Sequence, residues 1–356
     1  MTIVDTPPAR QRESLPLVAP QLPRWAPLLA LLISLCAAGI LAVTLSWGWA
    51  GTLVATVALL AVVLPLWSRA VEGARRAKDR LATILIWSTF GIAMFPLATL
   101  IWKVVEEGAP VLSAEFFTYS MRNVVGEGGG IYHAIVGTLI ITLWATLISV
   151  PVGVLAAVYL VEYGENRLPA RIVTFLVDVM TGIPSIVAGL FAYALFVIFF
   201  GPGVRMGFGG SVALAVLMIP IVVRSTEEML KLVPNELREA SYALGVPKWR
   251  TITKVVIPTS LGGIITGVTL AIARVAGETA PLLIIAGKTD SVNFNAFAER
   301  MQSLPVFIYY SFTQPGVPKE FGQERAWGAA LVLIALVMVL NLIARVIGRL
   351  FAPSKR

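Results

Sequence analysis

Three ionisable residues occur in stretches where charge is expensive. Arg224 stands in Ile219-Pro-Ile-Val-Val-Arg224-Ser-Thr226, and Arg274 and Glu278 stand in Ile272-Ala-Arg274-Val-Ala-Gly277-Glu278-Thr279. An arginine deep in an apolar helix costs at least about 2.5–3.5 kcal/mol on insertion scales, so it turns toward a cavity, a pathway or a partner charge. A guanidinium fork matches an oxyanion in bidentate geometry and stays charged at any physiological pH. Arg274 and Glu278 are four residues apart and would share one face of a continuous helix. They read either as a structural ion pair between helices or as an anion site in which Glu278 holds Arg274 when no anion is bound. Arg224 either snorkels to the interface or joins Arg274, on the next apolar run, in a two-arginine oxyanion site.

The surrounding elements follow from composition. Of 356 residues, 57% are hydrophobic and only 13% charged, with a mean hydropathy of +0.83. Soluble domains average roughly 25% charged residues. A span of the hydrocarbon core needs about 20 apolar residues. Such runs lie near 26–46, 49–67, 81–103, 131–160, 172–200, 211–230, 257–280 and 326–348. They predict an all-α integral membrane protein of about eight helices, because continuous apolar runs do not alternate as barrel strands do. The first two runs form an almost uncharged hairpin, read as an accessory anchor in lipid. Cys36 and His133 are the only residues of their kinds, which leaves no disulfide and no histidine-based metal site.

The net charge of +8 does not require nucleic acid, because the basic residues sit in short connections. Arg69, Arg75, Arg76, Lys78 and Arg80 follow the second run. Lys231, Arg238, Lys248, Arg250 and Lys254 lie between the sixth and seventh, and Arg345, Arg349, Lys355 and Arg356 close the chain. The 104–130 connection carries Glu106, Glu107, Glu115 and Glu127 against Arg122. Basic loops mark the cytoplasmic side, so both termini are expected there.

The 226–256 connection predicts a helix–turn–helix knob. Pro234 and Asn235 end one helix, and Asn235 is placed to cap the next. Leu237, Ala240 and Leu244 make an apolar stripe at helical spacing. Gly245 suits a left-handed helix end, and Pro247 suits a helix start. An amphipathic elbow in the headgroup layer shares these features. In the fifth run, Gly182 and Pro184 interrupt the helix. That predicts a separate interfacial or gating helix before them, Ser185 as a cap after them, and Asp178 as a hydrogen-bonded or interfacial carboxylate. The 282–325 segment reads as a re-entrant or surface loop.

Glu239-Ala240-Ser241, three residues, Gly245, nine residues, then Val255-Val256-Ile257-Pro258 resembles the EAA signature of bacterial ABC-importer permeases. Ser241 departs from the alanine often found there. The resemblance implies a coupling helix at 236–257, with Glu239, Ala240, Ser241, Leu244 and Gly245 docking on an ATP-binding cassette subunit. Three stretches are similar to the PstA family of phosphate ABC-transporter permeases: Ala271 to Leu283, Gly182 to Leu190, and Ile221 to Leu230. In that family, positions matching Arg224 and Arg274 are linked to phosphate passage, and Glu278 falls in the same motif. The common pattern has six spans, so the N-terminal hairpin is an addition.

The resemblance implies a type I ABC importer core of the MetI-like kind and a bacterial inner-membrane location. The expected partners are a second homologous permease, two ATP-binding cassettes, an external phosphate-binding protein, phosphate and membrane lipid. The expected organisation is a leader (1–24), a hairpin with its basic loop (25–80), a span and external loop (81–130), a permease domain (131–350) and a tail (351–356). No G-x-x-x-x-G-K-[ST] loop occurs, and Gly126 to Gly130 lacks the following Lys-Ser or Lys-Thr. ATP and magnesium would therefore act through the cassette, with no cofactor or metal on this chain. Other oxyanions (sulfate, molybdate, phosphonate) and an ion-driven secondary transporter are the competing readings.

Overall fold

Backbone groups in lipid must be satisfied internally, and a helix does this within one segment. A computed structural model describes residues 20–164 and 167–351, and all regular structure among them is helical. The expected leader falls outside the described residues up to position 19, and the expected tail does so from position 352. Among the described residues, seven helices are long and apolar enough to cross a membrane, and a bent pair makes an eighth if counted as one span. The chain divides into two units, Met1–Ile101 and Trp102–Arg356.

In the first unit, α1 (Ala26–Thr44) and α2 (Trp49–Val71) form the expected hairpin. Its contact is built from small residues: Ala26, Ala30, Ser34 and Ala38 recur every fourth position and are buried, which lets two helix backbones approach closely. The third helix, α3 (Ala74–Gly108), starts seven residues before the expected 81. Arg75, Arg76, Lys78 and Arg80 are therefore helical, and the expected basic loop shrinks to Glu72 and Gly73. Arginine and lysine are good helix formers, so their polarity disguised a helix start as a connection.

Glu72 ties the three helices at this end. Its carboxylate accepts hydrogen bonds from Arg80 Nε and Nη2 (2.8 and 3.0 Å), Ser68 Oγ (2.6 Å) and the Leu22 backbone N–H (2.9 Å). The Arg80 bonds above all hold the Glu72 pKa at about 2, below the ordinary 4.5. A depressed carboxylate pKa contributes stability that is complete above about pH 4.5 and is lost as pH falls toward 2. Glu72→Gln is expected to lower the unfolding temperature of the detergent-solubilised chain at pH 7. The gap to wild type should narrow steadily below pH 4.5; a gap that widens on acidification would contradict this role.

The second unit is organised around α5 (Tyr132–Val158) and α8 (Gly207–Lys231). Ala213, Leu214, Met218, Val222 and Val223 of α8 are almost fully buried. Gly153 permits the closest approach, since a Cβ there would sit 2.8 Å from Val222 Cβ. A π-helical turn at Tyr159–Tyr163 extends α5. The short α4 (Ala114–Thr118) precedes it and is capped by Ser113 Oγ. The expected fifth span is two helices, α6 (Leu168–Thr181) and α7 (Ser185–Phe200), bent by 112° at Gly182–Pro184. Pro184 occupies the cap position and Ser185 makes no capping hydrogen bond, contrary to the expected Ser185 cap.

Beyond α8, the knob helices α9 (Asn235–Ala243) and α10 (Lys248–Thr251) lead through a π-helical turn (Ile252–Val256) into α11 (Ile257–Ala276). Then come α12 (Ala280–Ile285), α13 (Leu304–Thr313) and α14 (Lys319–Phe351). The 282–325 segment, expected to be a re-entrant or surface loop, packs partly inside the protein. Met301, Gln302, Ser303 and Leu304 are buried, and the Leu304 N–H donates to Thr138 Oγ1 at 2.8 Å. At ten residues α13 is too short for a span, which hid its packed character.

Candidate functional site

The packing of α8 on α11 sets the depth of each arginine. A methyl group at Gly263 would run into the Met229 side chain, and one at Gly267 into Ser225. Four residues forward on α11 thus match four residues back on α8. Seven further along α11 is Arg274, level with Met218, and Met218 is one residue from the centre of α8. Arg274 therefore lies level with the middle of α8. Arg224 lies six residues nearer the knob, about 9 Å at 1.5 Å per residue.

Arg274 projects away from its own chain. Ala271, Val275 and Ala276 on neighbouring positions of α11 are buried, whereas the Arg274 side chain is exposed. Among the described residues it has no ion-pair partner. The helix ends at Ala276 with Gly277 as its cap, so Glu278 lies beyond it, its N–H donating to the Val275 carbonyl at 3.1 Å. The expected shared face and Arg274–Glu278 pair are not formed. Gly277 breaks the helix between them, and a four-residue spacing places two side chains together only on an unbroken helix.

Arg224 is differently engaged. Nη1 donates to Glu227 Oε2 at 2.8 Å and Nη2 donates to Asp178, while Lys231 Nζ holds the other Glu227 oxygen at 2.6 Å. Two cations and two carboxylates form a neutral cluster that bridges α6 to α8. Asp178 is one turn before the 112° break, so the expected hydrogen-bonded carboxylate links α6 to α8. Arg224 and Arg274 do not form one open two-arginine site in this structure, because only Arg274 is unopposed.

The knob is braced from within. Arg238 Nε and Nη2 donate to the buried Glu162 Oε1 (3.1 and 2.8 Å). Its Nη1 reaches the Val233 carbonyl (2.6 Å) and its Nη2 the Leu230 carbonyl (3.0 Å). Both carbonyls belong to the turn that leads from α8 into α9, and the Leu230 carbonyl also accepts the Val233 N–H at 3.3 Å, so Arg238 fastens that turn. Asn235 is the first residue of α9 and makes no cap bond to it; its Oδ1 accepts from Arg238 instead, at 3.3 Å. Ser241 and Thr251 hydroxyls meet at 2.8 Å between α9 and α10. Ser241 is thus an internal strut, and its departure from alanine adds a hydrogen bond inside the knob. Gly245 has φ +74°, the left-handed turn that joins the two helices. On the outer face Leu232, Leu237, Ala240, Leu244 and Trp249 are exposed, Leu244 by 83%; Glu239 is exposed beside them.

Residues 149–356 match the family model described as binding-protein-dependent transport system inner membrane component. The chain belongs to this family. Curated relatives place it on the PstA branch. It is 46% identical over 297 residues to "Phosphate transport system permease protein PstA 1" of Mycobacterium tuberculosis (strain CDC 1551 / Oshkosh), covering 83% of this chain and 96% of that protein. It is 48% identical over 277 residues to PstA of Mycobacterium leprae (77% and 90%) and 40% identical over 285 residues to PstA of Yersinia pestis (79% and 92%). A solved chain of the MetNI methionine ABC transporter in an inward-facing conformation shares the fold, with TM-score 0.51, 21% identity, and coverage of 68% of this chain and 100% of that one.

In this binding-protein-dependent permease, sequence reasoning overlooked Glu162, Glu227 and the bracing role of Arg238. Glu227 had a signal, since Arg224, Glu227 and Lys231 fall three and four apart on one helix. Glu162 and Arg238 are 76 positions apart and carried none. Removing one partner of a buried pair strands the other, at roughly 3–5 kcal/mol. Arg238→Met is accordingly expected to destabilise the permease strongly, and Glu162→Gln added to it to restore part of the loss. Additive losses in the unfolding temperature of the double variant would refute the pairing.

Proposed function

We propose that this chain is a permease subunit of an ATP-driven importer of inorganic phosphate. It forms the pathway with a second, homologous permease, receives phosphate from an external binding protein, and is driven by two ATP-binding cassettes docked on the knob. Both termini and the knob face the cytoplasm, in keeping with the basic residues of α3, the knob and the C-terminal end of α14. ATP and magnesium act on the cassettes, and this chain contributes no hydrolytic chemistry.

One observation carries the reading: a guanidinium level with the middle of α8, turned outward and without a counter-charge among the described residues of its own chain. Lipid would make such a charge prohibitive, so its neighbour in the assembly is a polar path or a partner surface. A phosphate oxyanion meeting the Arg274 fork supplies the missing counter-charge for as long as it is bound, and Glu278 just past the helix end keeps the site from becoming a trap. The Asp178–Arg224–Glu227 cluster lies on the exit side and ties the α6–α7 break to α8. Cassette closure pulls the braced knob, and α8 and α11, which enter it directly from both sides, move with it.

The test is uptake of radiolabelled phosphate into vesicles. Vesicles carrying this chain with its partner permease, the cassettes, the binding protein and ATP are expected to accumulate phosphate; those lacking cassettes or ATP are not. Concentrative uptake by this chain alone, driven by an ion gradient, would overturn the proposal.

A further inference from the structure

The first unit bears an open groove of about 1320 Å³ that phosphate transport leaves without a role. That exceeds the roughly 300–1,000 Å³ of sites for drug-sized ligands. Its walls come from three helices: Leu28 and Leu31 of α1, Val54 and Val57 of α2, and Trp87 and Ile92 of α3. The helices are fastened at both ends. At one end the Glu72 carboxylate draws together the segment leading into α1, the end of α2 and the start of α3. At the other, the Trp49 ring of α2 meets Phe95 of α3, with centroids 5.5 Å apart. Between these fastenings α2 and α3 stand apart. From Trp49 to Leu64 the groove runs along 15 residues of α2, about 23 Å. This is more than one leaflet's half of the ~30 Å hydrocarbon core and less than a full span. The side of the groove is open between the two fastenings, where Val54, Trp87 and Ile92 are exposed, so acyl chains can enter it from the bilayer.

The two ends differ in charge. Around Trp49 and Phe95 the lining is apolar, while the Glu72 end carries Arg24, Arg76, Arg80 and Asp79. Arg80 is committed to Glu72. Arg24 has no ion pair among the described residues, and Arg76 stands 3.6 Å from Glu72 with 40% of its side chain exposed. With Asp79 opposing them, these two arginines still leave the rim positive. An apolar groove of this length with a guanidinium rim is complementary to an anionic amphiphile with two acyl chains.

We propose that this groove holds an anionic phospholipid, its phosphodiester at Arg24 and Arg76 and its acyl chains between α2 and α3. The hairpin thereby acts as a lipid-binding element as well as an anchor. Inorganic phosphate shares the headgroup chemistry but cannot fill the apolar length, so the acyl chains distinguish the two sources.

The experiment uses the full chain in its assembled complex, in nanodiscs containing phosphatidylglycerol or phosphatidylcholine with a photoactivatable acyl chain. Phosphatidylglycerol is expected to label α2 and α3 peptides, and excess inorganic phosphate is expected not to displace it. The Arg24→Gln/Arg76→Gln variant should lower labelling by about ten-fold or more. Gly91→Phe should abolish it by filling the groove, where a Cβ at Gly91 meets nothing within 4 Å. Equal labelling by phosphatidylcholine, displacement by inorganic phosphate, or cross-linking of the groove to the N-terminal leader or to another subunit in place of lipid would each overturn the proposal.

Discussion

Arg274→Gln is expected to abolish ATP-driven phosphate uptake while the complex still assembles. Arg274 is exposed on its own chain and takes part in no hydrogen bond or ion pair among the described residues, so its removal leaves the fold of this subunit intact. What is lost is the interaction with the passing anion. Two charge-assisted hydrogen bonds, at roughly 1.5–3 kcal/mol each, place the loss at about 100-fold or more in transport. Arg274→Lys should be intermediate, since an ammonium keeps the charge and forfeits the fork. Uptake rates measured beside co-purification of all subunits separate transport from assembly. Wild-type uptake by the glutamine variant would remove Arg274 from the pathway, and failed assembly would recast it as an interface residue.

The second large effect is expected at the knob. Leu244→Glu and, separately, Gly245→Val should each lower phosphate uptake by more than about ten-fold and weaken co-purification of the cassettes. The causes differ. Leu244 is 83% exposed, and burying a leucine contributes about 1.5–3 kcal/mol, which a glutamate forfeits while adding a desolvation cost. Gly245 at φ +74° tolerates no β-branched residue without about 1–3 kcal/mol of strain, so valine distorts the turn and the stripe it presents. Normal uptake and cassette retention in both variants would contradict docking at this face.

Much of the fold was legible because lipid imposes a simple rule: about 20 apolar residues make a span. The knob was legible for local reasons, since Pro234, Gly245 and Pro247 punctuate it without reference to anything distant. Helix ends were less so. Arg75 to Arg80 look like a loop by polarity, yet they form the first turns of α3. Glu278 looked like a helical partner of Arg274 because spacing alone cannot reveal that Gly277 ends the helix. The braces were out of reach. Asp178 meets Arg224 across 46 positions and Glu162 meets Arg238 across 76, and no local pattern encodes such pairings. The lipid-sized groove depends on two fastenings, one polar and one aromatic, whose joint effect exists only in three dimensions.

In the proposed transport cycle the guanidinium of Arg274 meets the passing anion level with the middle of α8. The most direct measurement is a structure of the complete importer trapped with phosphate during turnover. Tetrahedral oxyanion density is expected within about 3 Å of the Arg274 guanidinium nitrogens. An Arg274 side chain locked to a carboxylate of the partner permease in every captured state, with phosphate passing elsewhere, would contradict it.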